Sequence, residues 1–199
     1  MSSSKRRIQT LLSRAGTARS RDLVVAGATR SQLSRMVAKG ELVRVARGLY
    51  AKPGYQSSEH GVLAELAKRA PDVLFCLLTA LRLHDLTTQA PFEVWIAIGN
   101  KDHPPRLSYP PLRTVRFSDA ALSAGVETRR IDGTPVHVTS VAKTVADCFK
   151  FRNKIGLDVA LEALREARRR KQASADELWR YAKIDRVANV MRPYLEAVG

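Results

Sequence analysis

The 199-residue sequence has few of the residues on which several classes of protein depend. Its only cysteines, Cys76 and Cys148, each lie in an apolar run, which excludes a disulfide framework and predicts buried thiols in a reducing compartment. No apolar run approaches the roughly 20 residues that cross a bilayer, and the N-terminus has no apolar signal-peptide segment. The sequence therefore predicts a cytoplasmic protein without a membrane partner.

Motifs for cofactors and catalysis are also scarce. The sequence has no glycine-rich phosphate loop, and its four histidines are not spaced as zinc ligands. Ser140 and Lys143 have the Ser-x-x-Lys spacing of some acyl enzymes, but Ser140 stands where a strand gives way to a helix, and an N-cap role explains it. We therefore predict no cofactor, no metal site, no catalytic residue and no enzymatic activity.

Acidic residues are too few to balance the basic ones. The chain has 34 Lys and Arg against 19 Asp and Glu, a formal net charge of +15. Its first 53 residues hold twelve of the basic residues and two of the acidic ones, so +10 of that charge lies in about a quarter of the chain. Such a cluster is typical of a surface that binds a polyanion, and nucleic acid is the predicted partner.

Much of this charge lies in residues 20–52, whose pattern predicts a compact set of helices and strands. A short helix follows Ser20, its predicted N-cap, and Gly27 supplies the turn after it. A second helix begins after Thr29, and residues 42–51 read as a hairpin that forms a two-stranded wing. In the first helix Leu23, Val24 and Val25 are the candidates to face inward. This order of elements is a winged helix-turn-helix, whose usual partner is DNA.

The second helix is the predicted recognition helix. Its buried stripe should be Leu33, Met36 and Val37, which directs small and cationic side chains outward. The candidates for base readout are Ser31, Gln32, Ser34 and Arg35. The candidates for phosphate contacts are Arg19, Arg21, Arg30 and Lys39, and those on the wing are Arg44 and Arg47. Ahead of this motif a helix should run from about Lys5 to Ala15, with an apolar face that includes Ile8 and Leu12. The basic segment at residues 2–7 reads as a flexible arm.

After the wing the pattern becomes mixed. Residues 59–69 and 73–84 should be helices, and 92–98, 112–117, 126–131 and 134–139 strands, the last two joined by a turn at Asp132 and Gly133. The chain should end in helices, one of them with a capping box at Ser174 and Glu177. The predicted fold class is α+β, with a winged helix-turn-helix domain at 1–54 and a mixed α/β domain ending in helices at 59–199.

Several segments together resemble a known family. They are RGLY at residues 47–50, FCLLTALRLHDL at 75–86, a strand around Trp95, and VTSVAKTVADCF at 138–149. In this order they are similar to the AbiE-type (AbiEi) antitoxins of type IV toxin–antitoxin systems. The resemblance implies a repressor that binds inverted repeats in double-stranded DNA at its own promoter. It also implies a C-terminal domain that counters a nucleotidyltransferase toxin without forming a stable complex with it.

Two other functions remain open at this point. Asp85, Glu93 and Lys101 faintly resemble the carboxylate cluster of a Mg²⁺-dependent nuclease, and the basic face of the winged helix could bind RNA. A basic run at residues 168–171 fits either a helix C-terminus balanced by cations or a second contact with nucleic acid or a partner. A DNA-binding repressor and antitoxin is the preferred interpretation.

Overall fold

The computed structural model describes residues 3–46, 48–55, 60–89, 91–107 and 110–198. The chain divides into two compact units, the first made of Met1–Pro71 with Arg130–Pro135 and the second of Asp72–Arg129 with Val136–Gly199. The division differs from the expected boundary at residues 54–59. A helix beyond that boundary and the tip of a later hairpin both belong to the first unit.

The first unit is built around a three-stranded sheet. Its elements in chain order are α1 (Ser3–Ala15), β1 (Thr17–Arg19), α2 (Ser20–Val25), α3 (Arg30–Ala38), β2 (Val43–Ala46), β3 (Leu49–Ala51) and α4 (Gly61–Arg69). The sheet order is β1-β3-β2 with antiparallel pairs. The prediction of a two-stranded wing was therefore incomplete, because three residues with the sequence Thr-Ala-Arg carry no alternating pattern that would reveal β1.

The core of the first unit joins α1, α2 and α3. Ile8, Leu12, Leu23 and Leu33 are buried in one cluster, because the apolar residues of each helix recur at helical spacing. The helix expected from about Lys5 to Ala15 is confirmed as α1 and begins slightly earlier, at Ser3, so the flexible arm expected at residues 2–7 was wrong for residues 3–7. The basic residues at its start are therefore part of a helix.

Helix α2 buries less than the sequence indicated. Leu23 is fully buried as predicted, but Val24 is 44% exposed and Val25 is 87% exposed. The inward orientation predicted for these two valines was wrong. A helix of six residues has room for one contact with the core at Leu23, and its next two side chains point away from that contact.

The second unit combines a five-stranded sheet with helices. Its strands are β4 (Leu74–Phe75), β5 (Val94–Gly99), β6 (Leu112–Phe117), β7 (Val126–Ile131) and β8 (Thr134–Thr139), in the order β6-β5-β4-β8-β7. Its helices are α5 (Leu77–Leu83), α6 (Asp119–Ser123), α7 (Val141–Lys150), α8 (Arg152–Ile155), α9 (Leu157–Arg169), α10 (Ala175–Ile184) and α11 (Ala188–Ala197). The predicted α+β class and the helical end of the chain are confirmed.

Two of the predicted elements differ in detail. The helix expected at residues 73–84 is interrupted, because β4 pairs with both β5 and β8 and α5 begins only at Leu77. The strand expected from Phe92 begins at Val94. The hairpin of β7 and β8 is confirmed, and φ values of 47° at Asp132 and 73° at Gly133 are those of the type I′ turn that its sequence predicts.

A charged cluster lies inside the second unit. Lys143 on α7 is fully buried and its Nζ contacts the carboxylate of Asp147, one turn along the helix. The same Nζ lies 3.1 Å from Oδ1 of Asp185, at the end of α10. Burial lowers the pKa of Lys143, but the two carboxylates reverse this effect and raise it overall. Ser140 accepts a hydrogen bond from the Lys143 backbone N–H, which confirms its N-cap role.

His84 is a second buried polar residue of this unit. Its Nε2 lies 2.7 Å from the carbonyl oxygen of Thr139, and its Nδ1 lies 2.7 Å from a guanidinium nitrogen of Arg129. Since a guanidinium can only donate, Nδ1 accepts and the ring proton stands on Nε2. Burial lowers the pKa of His84 to about 4, so the ring is neutral at pH 7.

Other predicted features concern the thiols and the histidines. Cys76 and Cys148 are free and buried, as predicted. Across the described ranges, no helix is both long and apolar enough to span a bilayer. No three His, Cys, Asp or Glu side chains are grouped there so that they could hold a metal ion. Glu93, one member of the nuclease-like set, precedes β5 rather than lying on it.

Candidate nucleic-acid interface

The start of α3 is fixed by a capping box. The side chain of Thr29 accepts a hydrogen bond from the backbone N–H of Gln32 at 3.1 Å, and the Gln32 side-chain oxygen accepts from the Thr29 N–H at 2.8 Å. The predicted cap at Thr29 is confirmed. The reciprocal bond holds the Gln32 side chain back towards the start of α3, so a bidentate contact from Gln32 to adenine would compete with the cap. The Thr-x-x-Gln spacing is the sequence signal of this role.

One face of α3 packs inward and the opposite face is open. Leu33 is buried, and Met36 and Val37 pack partly buried against the same core, as predicted. The side chains of Ser31, Ser34, Arg35, Ala38 and Lys39 are exposed. Three of these exposed residues are small, so the helix backbone can approach a groove closely while Arg35 reaches beyond it.

The candidate phosphate contacts lie on β1, on α2 and at the two ends of α3. Arg30 and Lys39 are exposed at the two ends of α3. Arg21 is exposed, with its Nε 3.5 Å from a carboxylate oxygen of Asp22. Arg19 is half-buried, and burial together with neighbouring Arg21 lowers its pKa. An arginine pKa starts so high that Arg19 keeps its charge at neutral pH.

The wing is tied to the start of α2. The backbone N–H of Ser20 donates to the carbonyl oxygen of Gly48 at 2.8 Å, and the Ser20 hydroxyl donates to the same oxygen at 3.2 Å. The predicted N-cap role of Ser20 was therefore wrong, since its hydroxyl binds the wing instead. Arg44 is exposed on β2 opposite Tyr50, and Arg47 lies outside the described residues.

Helix α1 adds residues that sequence reasoning missed. A depression of about 260 Å³ lies beside α3. It is lined by Lys5, Ile8, Gln32, Arg35, Met36, Lys39 and Glu41. Lys5 Nζ lies 2.9 Å from a carboxylate oxygen of Glu41, which places a third cation beside Arg35 and Lys39. The sequence signal that could have identified Lys5 is the helical pattern of α1, which includes the basic residues at its start.

The basic run at residues 168–171 ends α9 in the second unit. Nε of Arg169 lies 3.0 Å from one carboxylate oxygen of Glu166, and Nε of Arg170 lies 3.0 Å from the other. A guanidinium nitrogen of Arg168 donates to the carbonyl oxygen of Ala173 at 3.4 Å. These contacts within the helix end favour the interpretation as cations that balance a helix C-terminus.

The segment that carries this candidate interface is similar to a known family. Residues 6–52 match the AbiEi family model. That model describes a transcriptional regulator, the AbiEi antitoxin, and its match runs from α1 to the end of the wing. The predicted resemblance to AbiEi antitoxins is thereby confirmed for this segment. The match supports a role as a transcriptional regulator or antitoxin, and the AbiEi family is one of regulators.

Two further comparisons concern the whole chain. No curated protein matches it. Among solved structures, the chain is similar to the RV2827C protein from Mycobacterium tuberculosis at 14% sequence identity and a TM-score of 0.59, over 98% of this chain and 82% of that one. At this identity the likeness extends to the fold alone.

Proposed function

We propose that the protein is a sequence-specific DNA-binding repressor that regulates its own operon as the antitoxin of a type IV toxin–antitoxin pair. The observation that carries the DNA-binding part of this proposal is the open face of α3, where Ser31, Ser34 and Arg35 are exposed on a helix held by a capping box. The AbiEi match of residues 6–52 supports it, because that family consists of regulators.

In the proposed complex α3 enters the major groove. The Arg35 guanidinium donates two hydrogen bonds, to O6 and N7 of a guanine. The hydroxyls of Ser31 and Ser34 contact neighbouring base edges. Four cations on β1, on α2 and at the ends of α3 contact the phosphates: Arg19, Arg21, Arg30 and Lys39. Arg44 and Arg47 act from the wing, where an arginine suits a narrow minor groove or the backbone.

The biological role rests on the family match rather than on the geometry. Bound to inverted repeats at its own promoter, the protein excludes RNA polymerase and so represses the operon. The second unit opposes a nucleotidyltransferase toxin, and no stable complex between the two proteins is expected. Neither role needs a cofactor or catalysis by this chain.

The decisive test replaces the central base reader. For Arg35→Ala we expect a loss on the order of 1 to 3 kcal/mol in binding to a duplex from upstream of the protein's own gene, with relaxed preference at one base position. Fluorescence anisotropy against that duplex and a scrambled duplex measures both effects, and a footprint locates the site.

The matched control is Arg165→Ala, which removes an exposed arginine from α9 in the second unit. The control variant should bind like the unsubstituted protein. Equal affinity and equal preference of the Arg35 variant for both duplexes would refute the groove assignment, and tighter binding to single-stranded RNA or tRNA than to either duplex would refute the choice of DNA.

A further inference from the structure

We propose that Lys68 on α4 and Asp132 at the tip of the β7–β8 hairpin are positioning residues that set the orientation of the wing for DNA. Both residues belong to the first compact unit. The inference rests on the proposed DNA-binding function and deepens it, because it extends the DNA-binding module beyond residues 1–54.

A polar cluster surrounds the start of β1. Lys68 Nζ donates to the carbonyl oxygen of Thr17 at 2.6 Å and also contacts the Thr17 hydroxyl. The hydroxyl of Tyr55 lies 3.2 Å from a carboxylate oxygen of Asp132. Gly16 lies next to this cluster and has a φ of 64°. A Cβ at this position would lie 2.9 Å from the Tyr55 ring and 3.7 Å from Cβ of Asp132.

From Thr17 the contacts continue to the wing. Strand β1 pairs with β3, with Thr17 opposite Ala51 and Arg19 opposite Leu49. The residue after β1 is Ser20, whose N–H and hydroxyl both bind the carbonyl oxygen of Gly48. A shift of β1 would therefore move Arg19, which is a candidate phosphate contact. It would also move Ser20 and with it the carbonyl oxygen of Gly48 in the wing.

Lys68 is half-buried, and its ammonium group lies near carboxylates of the first unit. Burial lowers the pKa of Lys68 to about 8, although Glu65 on the same helix and Asp132 on the hairpin raise it, with smaller effects from Asp22 and Arg19. Burial also raises the pKa of Glu65. Because Lys68 is only half-buried, replacing it by an apolar group of similar size removes a partly desolvated charge and should cost the fold little. Retained stability accompanied by a loss of DNA binding would therefore separate positioning from simple structural support.

The test uses the full-length chain with Lys68→Met and, separately, Asp132→Asn. Asparagine tolerates the positive φ of position 132, so the second variant keeps the turn and removes only the charge. We expect each variant to bind the upstream duplex more weakly, by about twofold to thirtyfold. For Asp132→Asn this direction is opposite to that of simple electrostatics, since losing a carboxylate should strengthen attraction to DNA.

Two controls match the change of charge. Lys150→Met removes an exposed lysine from α7, and Glu127→Gln removes an exposed carboxylate from β7. The slope of log affinity against log salt should stay unchanged in Lys68→Met, because a positioning residue releases no counterions. Urea denaturation of every variant shows whether the fold persists.

The outcomes distinguish the two proposals. If the unsubstituted protein fails to bind duplex DNA, the proposed function is wrong. If it binds and Asp132→Asn binds as tightly as Glu127→Gln or more tightly, Asp132 does not position the wing. A reduced salt slope in Lys68→Met would instead make Lys68 a direct phosphate contact and overturn its positioning role.

Discussion

At the scale of the residue, the buried position of His84 makes the stability of the fold depend on pH. Its imidazole donates from Nε2 to Thr139 and accepts at Nδ1 from Arg129, so both ring nitrogens are satisfied only in the neutral form. Protonation would place a second cation against the Arg129 guanidinium. The folded state therefore resists protonation of this ring more strongly than the unfolded chain does.

This difference predicts a loss of stability in acid. The folded pKa of His84 is about 4 against an ordinary value of 6.5, so the unfolded chain binds the proton first. The free energy of unfolding should fall as the pH is lowered from about 6.5 to about 4, by up to about 3 kcal/mol from this residue. Urea midpoints measured across that range give the dependence.

His84→Gln should flatten the curve, since glutamine can donate and accept at similar places without titrating. His103→Gln, which changes an exposed histidine, should leave the curve as it is. If the two variants lose stability with acid in parallel, the dependence arises elsewhere.

Single residues also show how far the sequence could be read. Thr29 and Leu33 were predicted correctly because a cap and a buried stripe depend on neighbours within one or two helical turns. Val25 was predicted wrongly because hydrophobicity alone does not say which way a six-residue helix turns its side chains. Ser20 has a partner 28 residues away at Gly48, and no local pattern encodes that contact.

At the scale of the element, the buried charges join two helices of the second unit. Lys143 and Asp147 are spaced four residues apart on α7, which by sequence alone is typical of an exposed ion pair. The third member, Asp185 at the end of α10, is 42 residues away. Oδ2 of Asp147 is buried without a hydrogen-bond partner among the described residues, so the cluster has no spare donor.

We predict that Lys143→Met destabilises the protein by about 3 to 5 kcal/mol, because it leaves two carboxyl groups buried without their cation. Lys150→Met, seven residues further along the same helix but exposed, should change the free energy of unfolding by less than about 0.5 kcal/mol. Chemical denaturation of both variants measures the difference. Equal stability of the two variants would contradict the account of a buried ionic link.

At the scale of the whole molecule, the net charge of +15 includes cations that contact phosphates in the proposed complex and cations that do not. We expect Arg30→Ala and Lys39→Ala each to lower the slope of log affinity against log salt by about one. Lys171→Ala, which removes an exposed cation at the end of α9, should leave the slope unchanged. Titrations with the upstream duplex at several salt concentrations compare the three, and a lower slope for the Lys171 variant would reveal a second contact with DNA.

The division of the chain was the least predictable property at this scale. The α+β class and the β7–β8 hairpin follow from local patterns, and both were predicted. The strands β1 and β4 were missed because they are two or three residues long and are defined by partners far along the chain. The assignment of residues 130–135 to the first unit depends on contacts such as that between Tyr55 and Asp132, 77 residues apart.

That separation has a consequence for the order of events during synthesis. When residues 1–71 leave the ribosome, the N-terminal unit still lacks its last segment, and it can be completed only after Pro135 has emerged. A nascent chain interrupted before that point would contain α3 but lack the hairpin tip, whose Asp132 contacts Tyr55. Synthesis must therefore pass residue 135 before the first unit, which carries the proposed DNA-binding surface, has all of its residues.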